Sequence, residues 1–203
     1  MVENIKELIA DKSRELFNKY GNQKVTMRQI ADACDISVGN LTYHYPLKED
    51  LLMLEHDGLM NAFLESVLTD ESGLDGLSGY FTVECAFLGR ILCDPPIARL
   101  YAQVINVPTL RARYCAAHHR LYQHFVQGAA DTGAEWTATV AMSALEFELA
   151  DEGILIEDFE AAMENIFRTR MMFAGKAPQD FETEIKRGVT EGIKMSKRLS
   201  GVF

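Results

Sequence analysis

The 203 residues predict an all-α fold, with an N-terminal three-helix head followed by a larger C-terminal helical body. Three observations carry that expectation. The chain shows no sustained period-2 alternation of the kind a half-buried strand needs. Capping residues, prolines and glycines of the kind that start and stop helices recur along its whole length. Apolar residues in several stretches repeat at spacings of three and four, the period of one helix face.

Taken in order, residues 4–20 place Ile5, Leu8, Ile9, Leu16, Phe17 and Tyr20 mostly on one face, interrupted by Lys12, and Gly21 supplies a stop. Thr26 caps a short helix from Met27 to Cys34, Asp35 to Ser37 break it, and Val38 to His44 form a second short helix. Pro46 suits the first turn of a new helix, and Lys48 to about Asp70 is a long apolar-rich stretch, closed by the glycines between Gly73 and Gly79. Further helices are expected at about 80–92, 95–105 (capped by Asp94, with Pro95 in its first turn), 109–130, 135–151, 157–174 and 179–199. Gly133, Gly153 and the run from Gly175 to Pro178 mark joints. A boundary at Pro46 divides a head at 1–46 from a body at 47–203.

Composition narrows the class. With 48% apolar and 25% charged residues the chain can bury a real core, which argues against wholesale disorder or a fibrous repeat. Its formal charge is −10, yet residues 1–50 carry seven basic and eight acidic side chains, so an anionic partner is expected at the head and repelled by the rest. No apolar run approaches the ~18 residues of a membrane span, so no membrane partner is expected. Glu3 and Glu7 stand where a secretory signal would be basic and then apolar. Cys34, Cys85, Cys93 and Cys115 are scattered without a Cys-x-x-Cys pair, which fits a reduced, cytoplasmic home better than a disulfide or zinc framework.

Two short helices joined by a tight turn at 27–46 have the proportions of a helix-turn-helix, whose second helix enters the DNA major groove. Ala31 leaves room for close approach of the two helices, Ile36 and Leu41 supply the contacts that fix their angle, and Asp35 takes a turn position that needs left-handed backbone. The run VTMRQIADACDISVGNLTYHYPLKEDLL, within a match over about residues 5–54, resembles the DNA-binding domain of the TetR (tetracycline repressor) family of bacterial transcriptional regulators. The residues that carry the likeness are Phe17 with Gly21, Thr26, Ser37, Gly39 with Leu41, the aromatic exit Tyr43-His44-Tyr45, and Lys48-Glu49 with Leu51. Thr42, Tyr45 and Leu47 depart from the family's usual tyrosine, phenylalanine and small polar residue.

That likeness implies roles in the head. Lys48 matches a phosphate-contacting lysine; Thr26 and Arg28 can converge on one phosphate, with Thr26 also an N-cap. Ser37, Val38, Gly39 and Asn40 open the recognition helix: glycine allows close backbone approach, and asparagine can pair with adenine or bond a phosphate. Thr42 offers a methyl or a hydroxyl, while Tyr43 and His44 reach phosphates at the groove edge, His44 having packing against the next helix as its alternative.

In the family the body binds a ligand and dimerises. Here Tyr101, Tyr114, His118, Tyr122, Phe125, Trp136 and Phe147 are the candidate ligand wall, with core packing as the alternative for each. Tyr114, His118, Tyr122 and Phe125 share one helix face. Cys115, His118, His119 and Glu146 include metal-ligating types, but Cys-x-x-His alone is a weak pattern and adjacent histidines diverge by ~100°; no metal and no cofactor is expected. Two further stripes look like surfaces for association: Phe159, Ala162, Met163, Ile166 and Phe167, and Gly188, Gly192 and Ser196 beside Ile185, Val189 and Ile193, the neighbour lying either in the same chain or in a symmetric partner. No nucleophile elbow, phosphate loop, dinucleotide fingerprint or zinc-protease motif occurs, so no enzyme is expected. The expected function is a ligand-responsive regulator, most simply a homodimeric repressor on a palindromic double-stranded DNA operator, released by a small apolar or aromatic effector. The alternative is an all-α interaction or sensor module that has lost DNA binding.

Overall fold

A computed structural model describes residues 2–68, 73–93, 98, 101, 107–127, 133–152 and 159–199, with side chains for all of these except 2–4, 66–68, 93 and 147–152. Every regular element among the described residues is helical: α1 (Val2–Tyr20), α2 (Met27–Ala33), α3 (Val38–His44), α4 (Lys48–Leu68), α5 (Gly76–Cys93), α6 (Pro108–Phe125), α7 (Gly133–Glu152), α8 (Phe159–Phe173) and α9 (Glu182–Leu199). Single 3₁₀ turns at Asn22–Lys24 and Pro178–Phe181 precede α2 and α9. The expected helix at 95–105 falls almost wholly outside the described residues. None of the described helices is long and apolar enough to cross a membrane.

The chain divides into two compact units, Met1–Ser66 and Val67–Phe203. The first therefore includes most of α4, beyond the sequence-based division at 46. Its core is built by Ile9 and Phe17 of α1, Ile30 and Ala31 of α2, Leu41 of α3, and Leu51 and Leu52 of α4. Burial of each large aliphatic side chain contributes roughly 1.5–3 kcal/mol. Gly21 ends α1 by donating its N–H to the Phe17 carbonyl at 2.9 Å, but with φ 76° and ψ 143° it turns the chain outside the left-handed helical basin. α1 is tied to α4 by Arg14, whose Nε donates to both carboxyl oxygens of Glu55, at 3.1 and 2.9 Å.

In the second unit α5 is the central element. Every residue from 79 to 91 is buried, because α6, α7, α8 and α9 all pack on this one helix. The closest of these contacts is with α9. A β-carbon at Gly192 would lie 2.5 Å from Cys85 Cβ and 2.7 Å from the Thr82 carbonyl oxygen, and one at Gly188 would overlap Phe81 Cβ. Ser196 continues the line against Gly89. The neighbour that the small-residue stripe of α9 calls for is thus α5 of the same chain. The α8 stripe is also used internally: Phe159, Met163, Ile166 and Phe167 are buried, and Phe167 stacks on Phe81 with centroids 4.3 Å apart. Both stripes are therefore faces of the body's own core.

Candidate DNA interface and candidate effector site

The head presents its candidate residues through two capped helices. Thr26 accepts from the Gln29 backbone N–H at 3.2 Å while the Gln29 side chain accepts from the Thr26 N–H at 2.8 Å, a reciprocal box that fixes the start of α2. Ser37 caps α3 by accepting from the Asn40 N–H at 3.1 Å. Between them Asp35 takes φ 55°, the left-handed turn expected of it, and the Ile36 N–H closes back onto the Ala31 carbonyl at 3.0 Å. Leu41, fully buried, anchors the inner side of α3, with Ile36 half-buried beside the turn.

The outer side of α3 is open. Ser37, Val38, Gly39, Asn40 and Tyr43 are exposed, Tyr43 at 83%, as are Thr26 and Arg28 on α2. Thr42 is half-buried and its hydroxyl donates to carbonyls of its own helix, Val38 at 3.0 Å or Gly39 at 3.2 Å. His44 is half-buried and meets Tyr43 edge to face at 5.1 Å. Tyr45 is buried and plugs the head's core. Lys48 is not a free surface charge: its ammonium donates to the carbonyls of Asn22 at 2.9 Å and Val25 at 3.1 Å. That clamp joins the start of α4 to the turn just before Thr26, and sequence reasoning missed it because both acceptors are backbone.

Gly39 is the informative residue. It lies in the first turn of α3 with ordinary helical backbone, and a β-carbon there would meet only Ser37 Oγ, at 3.8 Å. Nothing inside the head requires glycine at this point, although glycine costs a helix up to ~1 kcal/mol relative to alanine. Residues 9–53 match the signature described as bacterial regulatory proteins, tetR family. The head of the chain is therefore a TetR-family domain. Its TetR-type head is a DNA-binding helix-turn-helix domain. Two solved structures align over nearly the whole chain, both crystal structures of a gamma-butyrolactone receptor (ArpA-like protein). One has 15% identity, covers 97% of this chain and 98% of its own, and gives a TM-score of 0.44; the other has 15% identity, 98% and 100% coverage, and a TM-score of 0.42. No curated protein sequence matches the chain.

In the body, the candidate ligand wall separates into two groups. Tyr101, Tyr114 and His118 come together with Phe87: Phe87 meets Tyr101 at 5.6 Å and His118 at 5.5 Å, while Tyr114 meets Tyr101 at 5.7 Å and His118 at 4.0 Å. Their polar ends face two buried carboxyl groups. Tyr114 donates its hydroxyl to Glu146 Oε2 at 2.9 Å, and His118 Nδ1 lies 2.5 Å from Glu84 Oε2. Burial and the neighbouring charge of Glu84 push Glu146 up to about 8. Burial lowers the pKa of His118, but the charge and hydrogen bond of Glu84, with a smaller contribution from the charge of Glu146, raise it more and leave it above the ordinary histidine value.

Tyr122 belongs to the second group. The Arg170 guanidinium stacks 3.9 Å over its ring, Lys176 Nζ donates to its hydroxyl at 3.3 Å, and Glu135 joins both cations, accepting from Arg170 Nη1 at 3.1 Å and Lys176 Nζ at 2.8 Å. Arg170 Nε also donates to Tyr80 at 3.3 Å. Phe125 packs instead against Gly79, where an added β-carbon would sit 3.0 Å from its ring. Trp136 is 40% exposed and meets His119 edge-on at 5.4 Å. The Phe147 side chain lies outside the described residues. Glu84 and Arg170 were missed as site residues; Glu84 stands as an isolated charge in the largely apolar run YFTVECAFLG, the signal for a buried charge with a partner, whereas Arg170 follows Arg168 by two residues and carries no such signal.

Proposed function

We propose that the chain acts as a homodimeric repressor that binds a palindromic operator and is released by a small molecule with an aromatic or apolar body held in the second unit. The observation that carries the DNA half is Gly39, a glycine that the chain's own packing does not demand, set in an exposed face with Ser37, Val38, Asn40 and Tyr43. A backbone that must come within contact of a base edge or phosphate supplies the reason. Arg28 and the Thr26 hydroxyl are assigned to phosphate, with Lys48 contributing positive potential there while holding the turn that sets them. The reading segment is 1–46, and α4, which continues from that segment into the rest of the chain, carries the signal from the effector site.

With the α8 and α9 stripes used internally, the proposed dimer contact is the outer face of α7, where Trp136, Val140 and Ala144 recur every four residues and are exposed. A two-fold dimer presents two heads to successive major grooves, which sets the half-site spacing at one helical turn or a multiple of it. For the switch to work, the effector must prefer the released conformation; a hundredfold loss of DNA affinity corresponds to about 2.7 kcal/mol of coupling.

The test is selection of bound sequences from random duplex DNA by the purified full chain, followed by anisotropy of the winner across salt concentrations. An enriched palindrome with a steep fall of affinity in salt is the expected result. No enrichment, in buffer or in cell extract, would favour an interaction module that has lost DNA binding.

A further inference from the structure

Three side chains from three helices meet inside the body with hydrogen-bonding capacity left over. Glu84 on α5, His118 on α6 and Glu146 on α7 are 0%, 1% and 1% exposed. One atom of each is used, as described above, but Glu84 Oε1, His118 Nε2 and Glu146 Oε1 are buried with no partner among the protein groups. Buried polar atoms in a folded protein are normally satisfied, so three in one cluster point to a further group that satisfies them. The aromatic rings of Phe87, Tyr101 and Tyr114 border the same cluster.

Charge specifies that group. With His118 as the imidazolium its carboxyl neighbours favour, Glu84 is paired, and only when Glu146 gives up its proton is the cluster one positive charge short of neutrality. A metal is a poor match, since no three His, Cys, Asp or Glu side chains among the described residues are placed to share one. An organic cation is a good one, because ammonium N–H groups satisfy carboxyl oxygens and the positive charge is attracted to aromatic faces. An oxygen acceptor beside the nitrogen would take the remaining donor, His118 Nε2–H.

We infer that the effector of the second unit is an organic monocation, an amine with a neighbouring hydroxyl or carbonyl oxygen on a small aromatic or apolar body, bound between Glu84, His118 and Glu146 against the rings of Phe87 and Tyr101. This rests on the reading of the body as an effector site and names the chemical class it takes. In the absence of the cation, Glu146 keeps a proton at neutral pH, since its carboxyl is pushed up to about 8. The titratable groups around it are Glu84 and Tyr80 of α5 and Tyr114, Cys115 and His118 of α6. An ammonium ion takes the place of that proton, which passes to the buffer, so binding near pH 7 releases close to one proton.

The experiment uses the full chain and four matched probes: 2-amino-1-phenylethanol and phenethylamine as cations, phenylethanediol as the neutral form, and mandelate as the anion. Thermal unfolding at millimolar probe is expected to show the midpoint raised by the amines, most by the amino alcohol, and unmoved by the diol and mandelate. Calorimetry at pH 7 in two buffers of different ionisation enthalpy is expected to give about one proton released per amine bound. Glu146→Gln is expected to lose the amine-specific stabilisation and the proton release while still binding the selected duplex. Equal stabilisation by the diol or mandelate, no stabilisation by either amine, or amine binding without proton release overturns the inference; the last two are read on the unaltered chain and do not depend on the variant folding. DNA selection uses no amine and the thermal assay no DNA, so the two readings fail separately. Amines that bind at Glu146 and leave DNA affinity unchanged would keep the site and remove its role as a switch.

Discussion

Gly39→Ala separates the demands of the fold from those of the DNA. The added methyl has room, with Ser37 Oγ at 3.8 Å as its nearest contact, and the backbone there is already helical. Replacing glycine by alanine inside a helix is worth up to ~1 kcal/mol, and less in a first turn, so a gain of about 0.5 kcal/mol in head stability is expected. It should appear as slower amide exchange in α2 and α3 of the full chain. If α3 lies against DNA at this point, the same methyl enters the interface. A loss of tenfold or more in affinity for the selected duplex, equivalent to about 1.4 kcal/mol, is then expected. Stability and binding move in opposite directions, which a lesion of folding cannot imitate. Binding within twofold of the unaltered chain, with α3 stabilised, would refute the assignment of this surface to DNA.

Lys48→Met removes the ammonium that holds two backbone carbonyls and is expected to weaken DNA binding and loosen the Asn22–Val25 turn together, seen as faster exchange at 22–26 beside a shallower salt dependence. Asp35→Gly, at φ 55°, is expected to stabilise the head slightly, and Asp35→Val to destabilise it by about 1–2 kcal/mol in chemical unfolding, because a β-branched residue resists that conformation. Glu146 and His118 both have folded pKa values above their ordinary ones, so the stability they confer is complete below the unfolded values and is lost as pH rises through the folded ones. The melting temperature of the body is therefore expected to fall between about pH 5 and pH 9, with a flatter profile for Glu146→Gln. Gly192→Ala places a methyl 2.5 Å from Cys85 Cβ and is expected to cost the body a few kcal/mol in chemical unfolding while leaving exchange rates in α2 and α3 unchanged.

Most of the head was legible in the sequence because its signals are local: Thr26 and Ser37 bond three residues ahead, Asp35 sets its own turn, and Leu41 buries on a fixed spacing. What escaped was Lys48, whose acceptors at Asn22 and Val25 are carbonyls that no side-chain pattern advertises. The body was legible as helices but not as a site. Tyr114 and Tyr122 sit two turns apart on one face of α6, yet one donates to Glu146 and the other lies under Arg170, because their surroundings are fixed by α5, α7 and α8 and not by their own helix. The glycines of α9 announced close packing correctly and left its partner unnamed, since spacing records how near a neighbour comes and not which chain supplies it.

The lock between α5 and α9 also sets the order in which the polypeptide can acquire its structure. Cys85 Sγ reaches the Val189 carbonyl at 3.6 Å across 104 residues of sequence, whereas the Arg14–Glu55 pair of the head spans 41. During synthesis the head has all its partners once about a third of the chain has emerged, while α5 waits for the last helix before its buried face is covered. A nascent chain stalled ahead of Glu182 would therefore carry a folded DNA-binding head on a body whose central apolar helix is still open to water, a species suited to capture by chaperones and sensitive to proteolysis within α5.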